Sequence, residues 1–347
     1  MTSSNFTNLP KVELHNHLDG SLRVETVISL ASEIGYKNLP STDHAALEAW
    51  FLQDESGSLE QYLAGFEHTI AVMQTQDAID RVAFESGLDL AADGVVYAEI
   101  RFAPSLNTQR GLAQEDAIEA ALNGLERAQT ETGTTLRLIV DAMRNAPGSV
   151  AAAKAAVRFA GQGVVGFDLA GPEFGFPADQ HAEACRIARD NGLGITIHAG
   201  EADGPHSMLT AIATCGAARI GHGIRIVDDI EVVDGSAVAF GPVASMVRDK
   251  RIPLEVCPTS NLHTLGITAG EHPLGLLARS GFNVTLNTDN RLMSAVTLTD
   301  EFEFAARHHS FTAEDFRRTT LAALDAAFIE EAVRSPIRKI VEAGYAS

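Results

Sequence analysis

Cysteine is scarce in this chain of 347 residues: Cys185, Cys215 and Cys257 lie far apart and form no C-x-x-C pair. That spacing argues against a zinc knuckle or a disulfide framework and predicts a reducing, cytoplasmic setting. Long apolar runs are lacking, so no segment is expected to span a bilayer. The opening stretch MTSSNFTNLP has neither a basic region nor an apolar core and does not read as a secretory leader. Positive charge is also short: Lys and Arg number 26 against 46 Asp and Glu, a formal net charge of −20. Such a field repels polyanions, which argues against nucleic acid and anionic membranes as partners. It also disfavours highly phosphorylated substrates. No Pro/Ser-rich linker, low-complexity tract or charge block marks a boundary, so one domain over 1–347 is expected, with its core at 8–345. Monomer and homodimer both remain open.

What the chain does contain is ordinary for a globular protein, with 45% apolar and 21% charged residues. Strand-like runs recur along it: KVELHNH (11–17), VVYAEIRFAP (95–104), LRLIVDAMR (136–144) and VVGFDLAG (164–171). Four more follow, GITIHAGE (194–201), ARIGHGI (218–224), PLEVCPTSN (253–261) and VTLNTDN (284–290). Alanine-rich stretches of helical periodicity separate them, such as AQEDAIEAALNGLERAQTETG and PADQHAEACRIARDNG, each ending in glycine. Eight strands alternating with helices predict an α/β fold, a (β/α)8 TIM barrel. Surplus length lies between the first two strands, where 40–76 predicts a helical lid insertion. Within it Leu59, Tyr62, Leu63 and Phe66 recur at helical spacing and make one apolar face. That face suits packing on the barrel or lining its mouth. A doubly wound sheet would carry a glycine-rich loop after its first strand, and HNHLDGSL is no such loop.

Ionisable residues gather where the runs end: His15 and His17 on the first, His198 and Glu201 on the fifth, His222 on the sixth, Asp289 on the eighth. Barrel strands share one C-terminal face, where catalytic groups sit. Residues dispersed along the chain would thereby converge on one cup. Three imidazoles and a carboxylate suit a borderline-soft divalent ion, with zinc the default. A second, lysine-bridged metal is disfavoured, because no lysine occurs between Lys154 and Lys250.

The ordered set VELHNHLDGSL, DLAGPE, HAGE, GHG, CPTSN and NTDN resembles the adenosine deaminase family, metal-dependent (β/α)8 hydrolases of the amidohydrolase superfamily. The resemblance runs from about Leu9 to the final helices. It implies one Zn²⁺ per chain, held by His15, His17, His198 and Asp289, with Asp289 also counted among the catalytic groups. It implies that His222 orients the attacking water and that Glu201 protonates N1 of the purine. Gly171 would donate its N–H to N3, Asp19 would accept from a ribose hydroxyl, and Leu59, Tyr62, Leu63 and Phe66 would form an apolar gate. The implied substrate is a small purine nucleoside, adenosine or 2′-deoxyadenosine, hydrolysed to inosine or 2′-deoxyinosine and ammonia. Free adenine and a 5′-modified adenosine such as aminodeoxyfutalosine are alternatives; AMP is least favoured. The alternative of a different class is an inactive nucleoside-binding protein.

One departure stands near the chemistry. The family commonly has an acid after the metal aspartate, contacting N7; here it is Asn290. An amide donates without first being protonated, so Asn290 is expected to bind substrate with little dependence on pH. Asp141, in DAMRN, has no assigned role. Glu13, Glu99 and Arg101 are expected to form a structural ion-pair cluster behind the histidines.

Overall fold

In a computed structural model, which describes residues 6–54 and 56–346, eight parallel strands form the centre of the protein. The stretch read for a leader therefore lies partly outside the described residues. In chain order the strands are β1 (Lys11–His17), β2 (Val95–Phe102), β3 (Thr135–Met143), β4 (Val164–Ala170), β5 (Gly194–Ala199) and β6 (Arg219–His222). A small antiparallel hairpin follows, β7 (Ile230–Val233) with β8 (Ser236–Phe240), and then β9 (Leu254–Val256) and β10 (Val284–Leu286) complete the set. The main sheet runs β1-β2-β3-β4-β5-β6-β9-β10. Its two ends meet where His17 N donates to Asp289 O at 2.8 Å and Asp289 N donates to His15 O at 2.9 Å. The barrel predicted from the strand count is the fold observed. Among the described residues no helix is long and apolar enough to cross a membrane.

Strand alternation sorts the first strand as its sequence requires. Val12 and Leu14 are buried outside the barrel against Tyr97, Leu324, Ile337 and Val341. His15 and His17 turn the other way, into the cup. The surrounding helices are stopped and started by local chemistry. Thr297 and Thr312 each open a helix through a capping box, with Asp300 and Asp315 as the reciprocal acceptors.

Three local readings need correction. PLEVCPTSN is not strand to its end: β9 stops at Val256, and a helix, Pro258–Leu265, begins with proline at its first position. Proline has no N–H to give a central strand but fits a helix start. The apolar face at Leu59–Phe66 is not one continuous helix. A helix at Leu59–Tyr62 gives way to a 3₁₀ turn at Leu63–Gly65, and Phe66–Val72 resumes the α form. The hairpin was not anticipated, although Asp234 and Gly235, both at positive φ, are a recognisable two-residue turn between β-branched runs.

Candidate active site

The closure of the barrel decides where the candidate metal ligands stand. Because the segment after β10 pairs with the end of β1, Asp289 is brought beside His15 and His17; β5 delivers His198 from across the cup. Asp289 Oδ1 lies 3.3 Å from His15 Nε2 and 3.3 Å from His17 Nε2, and the His17 and His198 Nε2 atoms are 3.2 Å apart. The four donor atoms all lie within 4.8 Å of one another. A tetrahedral ion with metal–nitrogen bonds near 2.0 Å sets its ligands roughly 3.3 Å apart. His15 Nε2 is also fully enclosed with no hydrogen-bond partner, a cost that a bound cation removes. The cluster can hold one metal ion.

Each imidazole is backed by a carboxylate on its other nitrogen. His15 Nδ1 donates to Glu255 Oε2 at 3.0 Å. His198 Nδ1 lies 2.9 Å from Asp168 Oδ2, and His17 Nδ1 lies 3.4 Å from Asp141 Oδ2. A carboxylate at Nδ1 favours the proton there and leaves the Nε2 lone pair free. Asp141, unassigned from sequence, thus stands third in a set of three. Glu255 and Asp168 also belong to a buried network. Arg101 reaches Asp168 at 2.7 Å and Glu255 at 2.9 Å, while Arg219 joins Glu255 at 2.6 Å to Glu99. Of the cluster expected from sequence, Glu99 and Arg101 are in this network. Glu13 is not; its carboxyl accepts from the backbone and hydroxyl of Thr288, where β1 shifts register after Glu13.

The charge balance favours a cation in the cup. Burial would lower His17, but the hydrogen bond to Asp141 and the charges of Asp289, Asp141 and Asp19 raise it. Burial would raise Asp289; contact with His15 and the charges of His17 and His222 instead hold it well below the usual carboxylate range. Burial drives His198 down to about 3 against the pull of Asp168. Burial likewise raises Glu201, opposed by His222 and assisted by Asp289.

Glu201 and His222 face each other, Oε2 to Nε2 at 3.5 Å. The helix Pro258–Leu265 serves both, and Asp289 as well. Ser260 Oγ donates to Asp289 Oδ2 at 2.6 Å, Asn261 Nδ2 donates to His222 Nδ1 at 3.0 Å, and Thr264 contacts Glu201. His222 and Asp289 hold φ values of 60° and 61°. Left-handed conformations cost non-glycine residues energy and cluster at functional sites.

A cavity of about 360 Å³ opens onto this floor, within the range of small-molecule sites. Among its lining residues are His17, His198, Asp289, Glu201, His222, Asp19, Gly171 and Asn290, with Leu59, Tyr62, Leu63 and Phe66 along one wall. His15 lies behind them, wholly buried. Asp19 is buried with Oδ1 lacking a partner, and burial raises its carboxyl. Asn290 is 4% exposed, its Oδ1 unpartnered, packed so closely on Gly20 that a Cβ there would sit 2.1 Å from that oxygen. The Tyr62 hydroxyl meets Ser294 Oγ at 2.8 Å and ties this wall to the short helix after Asn290, Arg291–Ser294.

Residues 10–343 match the family model described as adenosine deaminase. The adenosine deaminase of Mycobacterium ulcerans (strain Agy99) is 52% identical over 327 residues, 92% of this chain and 90% of that protein. Adenosine deaminase 1 of Streptomyces coelicolor is 47% identical over 345 residues, 97% of this chain and 87% of its own. Among solved structures, an adenine deaminase from Arthrobacter aurescens superposes with a TM-score of 0.87 at 25% identity, covering 98% of this chain and 100% of that one.

Proposed function

The chain belongs to the adenosine deaminase family, and from that premise we propose that it hydrolyses adenosine and 2′-deoxyadenosine to inosine and 2′-deoxyinosine, with zinc as its metal. The observation that carries this reading is the convergence of four donors beside a buried Glu201–His222 pair on the floor of one cavity. His15, His17, His198 and Asp289 would hold the zinc. When bound there, zinc lowers the pKa of a coordinated water toward ~7 and so supplies hydroxide at neutral pH.

The protein's own groups do the rest. Asn261 donates to Nδ1 of His222, which leaves the ring proton on Nε2, toward Glu201 and the floor; from there His222 orients the nucleophile. Attack at C6 breaks the aromaticity of the purine and moves an electron pair to N1. Glu201, whose carboxyl burial raises above its ordinary range, gives its proton to N1. The adduct then expels ammonia as C6 becomes a carbonyl, and the proton of the consumed water restores the acid. Turnover therefore falls on the alkaline side as Glu201 ionises. Asp19 would accept from a ribose hydroxyl, the N–H of Gly171 would donate to N3, and the wall at Leu59–Phe66 would act as a lid that excludes water.

Substrate class follows from charge. The lining carries Asp19, Glu60, Asp141, Glu201 and Asp289 and, among the described residues, neither Lys nor Arg. A 5′-phosphate would find no counter-charge there. In an ultraviolet assay, adenosine and deoxyadenosine should be converted and AMP left unchanged. Conversion of adenine alone, or of a 5′-modified adenosine alone, would reassign the substrate. Failure of all of them with zinc bound would favour a binding protein.

Two further outcomes are expected. Asp141→Asn should weaken zinc binding about 10–100-fold, read by competition with a chelator, because His17 loses the carboxylate behind it. Binding of a non-reacting purine nucleoside should stay level from neutral to mildly acidic pH. Asn290→Asp should weaken it by about 1–3 kcal/mol at neutral pH, with recovery as acid protonates the new carboxyl. An acid-dependent affinity already present with Asn290, and removed by changing it, would contradict this.

A further inference from the structure

We infer that Glu173, on the loop after β4, is a positioning residue that sets the catalytic acid Glu201 against the purine; the inference rests on the deaminase reading above. Glu173 is 3% exposed. Its carboxylate accepts four consecutive backbone N–H groups of the loop after β5. Oε1 takes Gly200 N at 2.7 Å, and Oε2 takes Glu201 N at 3.0 Å, Ala202 N at 2.8 Å and Asp203 N at 2.9 Å.

Successive amides turned toward one point form an anion-binding concavity, and here the anion is supplied by the chain itself. The turn that aims them depends on Gly200. Its φ is 73°, and a Cβ there would lie 2.6 Å from Met208 Sδ. Arg144, buried on the segment after β3, faces Glu173 with its charge and donates Nη1–H to His198 O at 2.8 Å. One carboxylate thus ties the loops after β4 and β5 together, beside the charge of Arg144.

The placement matters for the purine because Gly171 precedes Glu173 by two residues in the same loop. Gly171 and Glu201 line the cavity together, and Glu173 fixes the spacing between them. Substrate gripped at N3 then meets the acid at N1 in one geometry. A buried carboxylate needed only for folding would not have to be shared between these two loops.

The test compares Glu173→Gln and Glu173→Asp with the parent zinc enzyme. Glutamine keeps the shape but presents an NH₂ where N–H donors converge, so the loop after β5 must shift. A misplacement of this order costs about 10²-fold in rate, so kcat should fall by that factor while KM changes less than ~3-fold. Two ligands separate positioning from general damage: 1-deazaadenosine, which has a C–H in place of N1, and a 1,6-dihydropurine ribonucleoside bearing a hydroxyl at C6, which carries the N1 proton and tetrahedral C6 of the adduct. Only the second depends on Glu201 being in place. Its affinity should fall at least ~30-fold while that of 1-deazaadenosine changes less than ~3-fold, since transition-state mimics report differential binding. Glu173→Asp, which retains the acceptor charge, should recover part of both losses. Equal weakening of both ligands, or an unchanged kcat, would overturn the inference. The ligand ratio counts folded protein only, so a partly unstable variant still decides. An inactive parent enzyme would instead refute the deaminase reading.

Discussion

Glu201→Gln should lower kcat on adenosine at least about 10²–10⁴-fold while the protein keeps its zinc, the range assigned to a positioned proton donor. Glutamine matches glutamate in size, can still meet Thr264 and leaves the backbone of the loop to Glu173. It has no acidic proton, so N1 of the purine cannot be protonated as C6 is attacked. The four metal donors keep their contacts, because none of them is paired with Glu201. Zinc content by elemental analysis and kcat by ultraviolet assay check the two halves separately. Loss of zinc in this variant would show that Glu201 had been given the wrong role.

The second large effect is expected at Glu255, one charge among the apolar residues of β9. Its carboxylate accepts from Arg101, Arg219, Thr196 and His15, all buried. Burial alone would raise this acid, but the two guanidiniums outweigh it and hold the group well below the ordinary carboxylate range. A depressed pKa contributes stability that is present above the unfolded value and lost only as pH falls through the folded one. The network should therefore survive mild acid. Glu255→Ala removes the carboxylate that both arginines share and leaves each with one buried partner, Asp168 for Arg101 and Glu99 for Arg219, which should cost about 3 kcal/mol. It also removes the group behind Nδ1 of His15, so zinc affinity should drop about 10–100-fold. Denaturant unfolding with and without zinc checks both. A variant as stable as the parent, with unchanged metal binding, would mean that the network is idle.

The groups on the floor were legible because they interrupt apolar runs at strand ends. HNH, HAGE, GHG and NTDN each place an ionisable side chain where a strand stops, and a barrel brings such ends together. The carboxylates behind the histidines were harder to read. Asp168 and Glu255 lie within their strands, and their partners come from other strands, some neighbouring and some across the barrel. A lone acid in an apolar strand does announce that it needs a buried partner, and that signal was available at both positions. Asp141 drew notice without explanation because its histidine belongs to another strand. Glu173, in DLAGPE, has no role until the loop after β5 folds against it. Pro258 marks the start of the helix Pro258–Leu265, although the apolar run before it suggests that the strand continues. The break at Leu63–Gly65 gave no periodic signal, since the apolar spacing continues through it.

On the proposed reading, one zinc held by His15, His17, His198 and Asp289 is required for deamination. Protein stripped by chelation should be inactive toward adenosine, and stepwise zinc addition should restore activity linearly to a break at one equivalent per chain. Full turnover by the stripped protein, or a break at two equivalents, would contradict it.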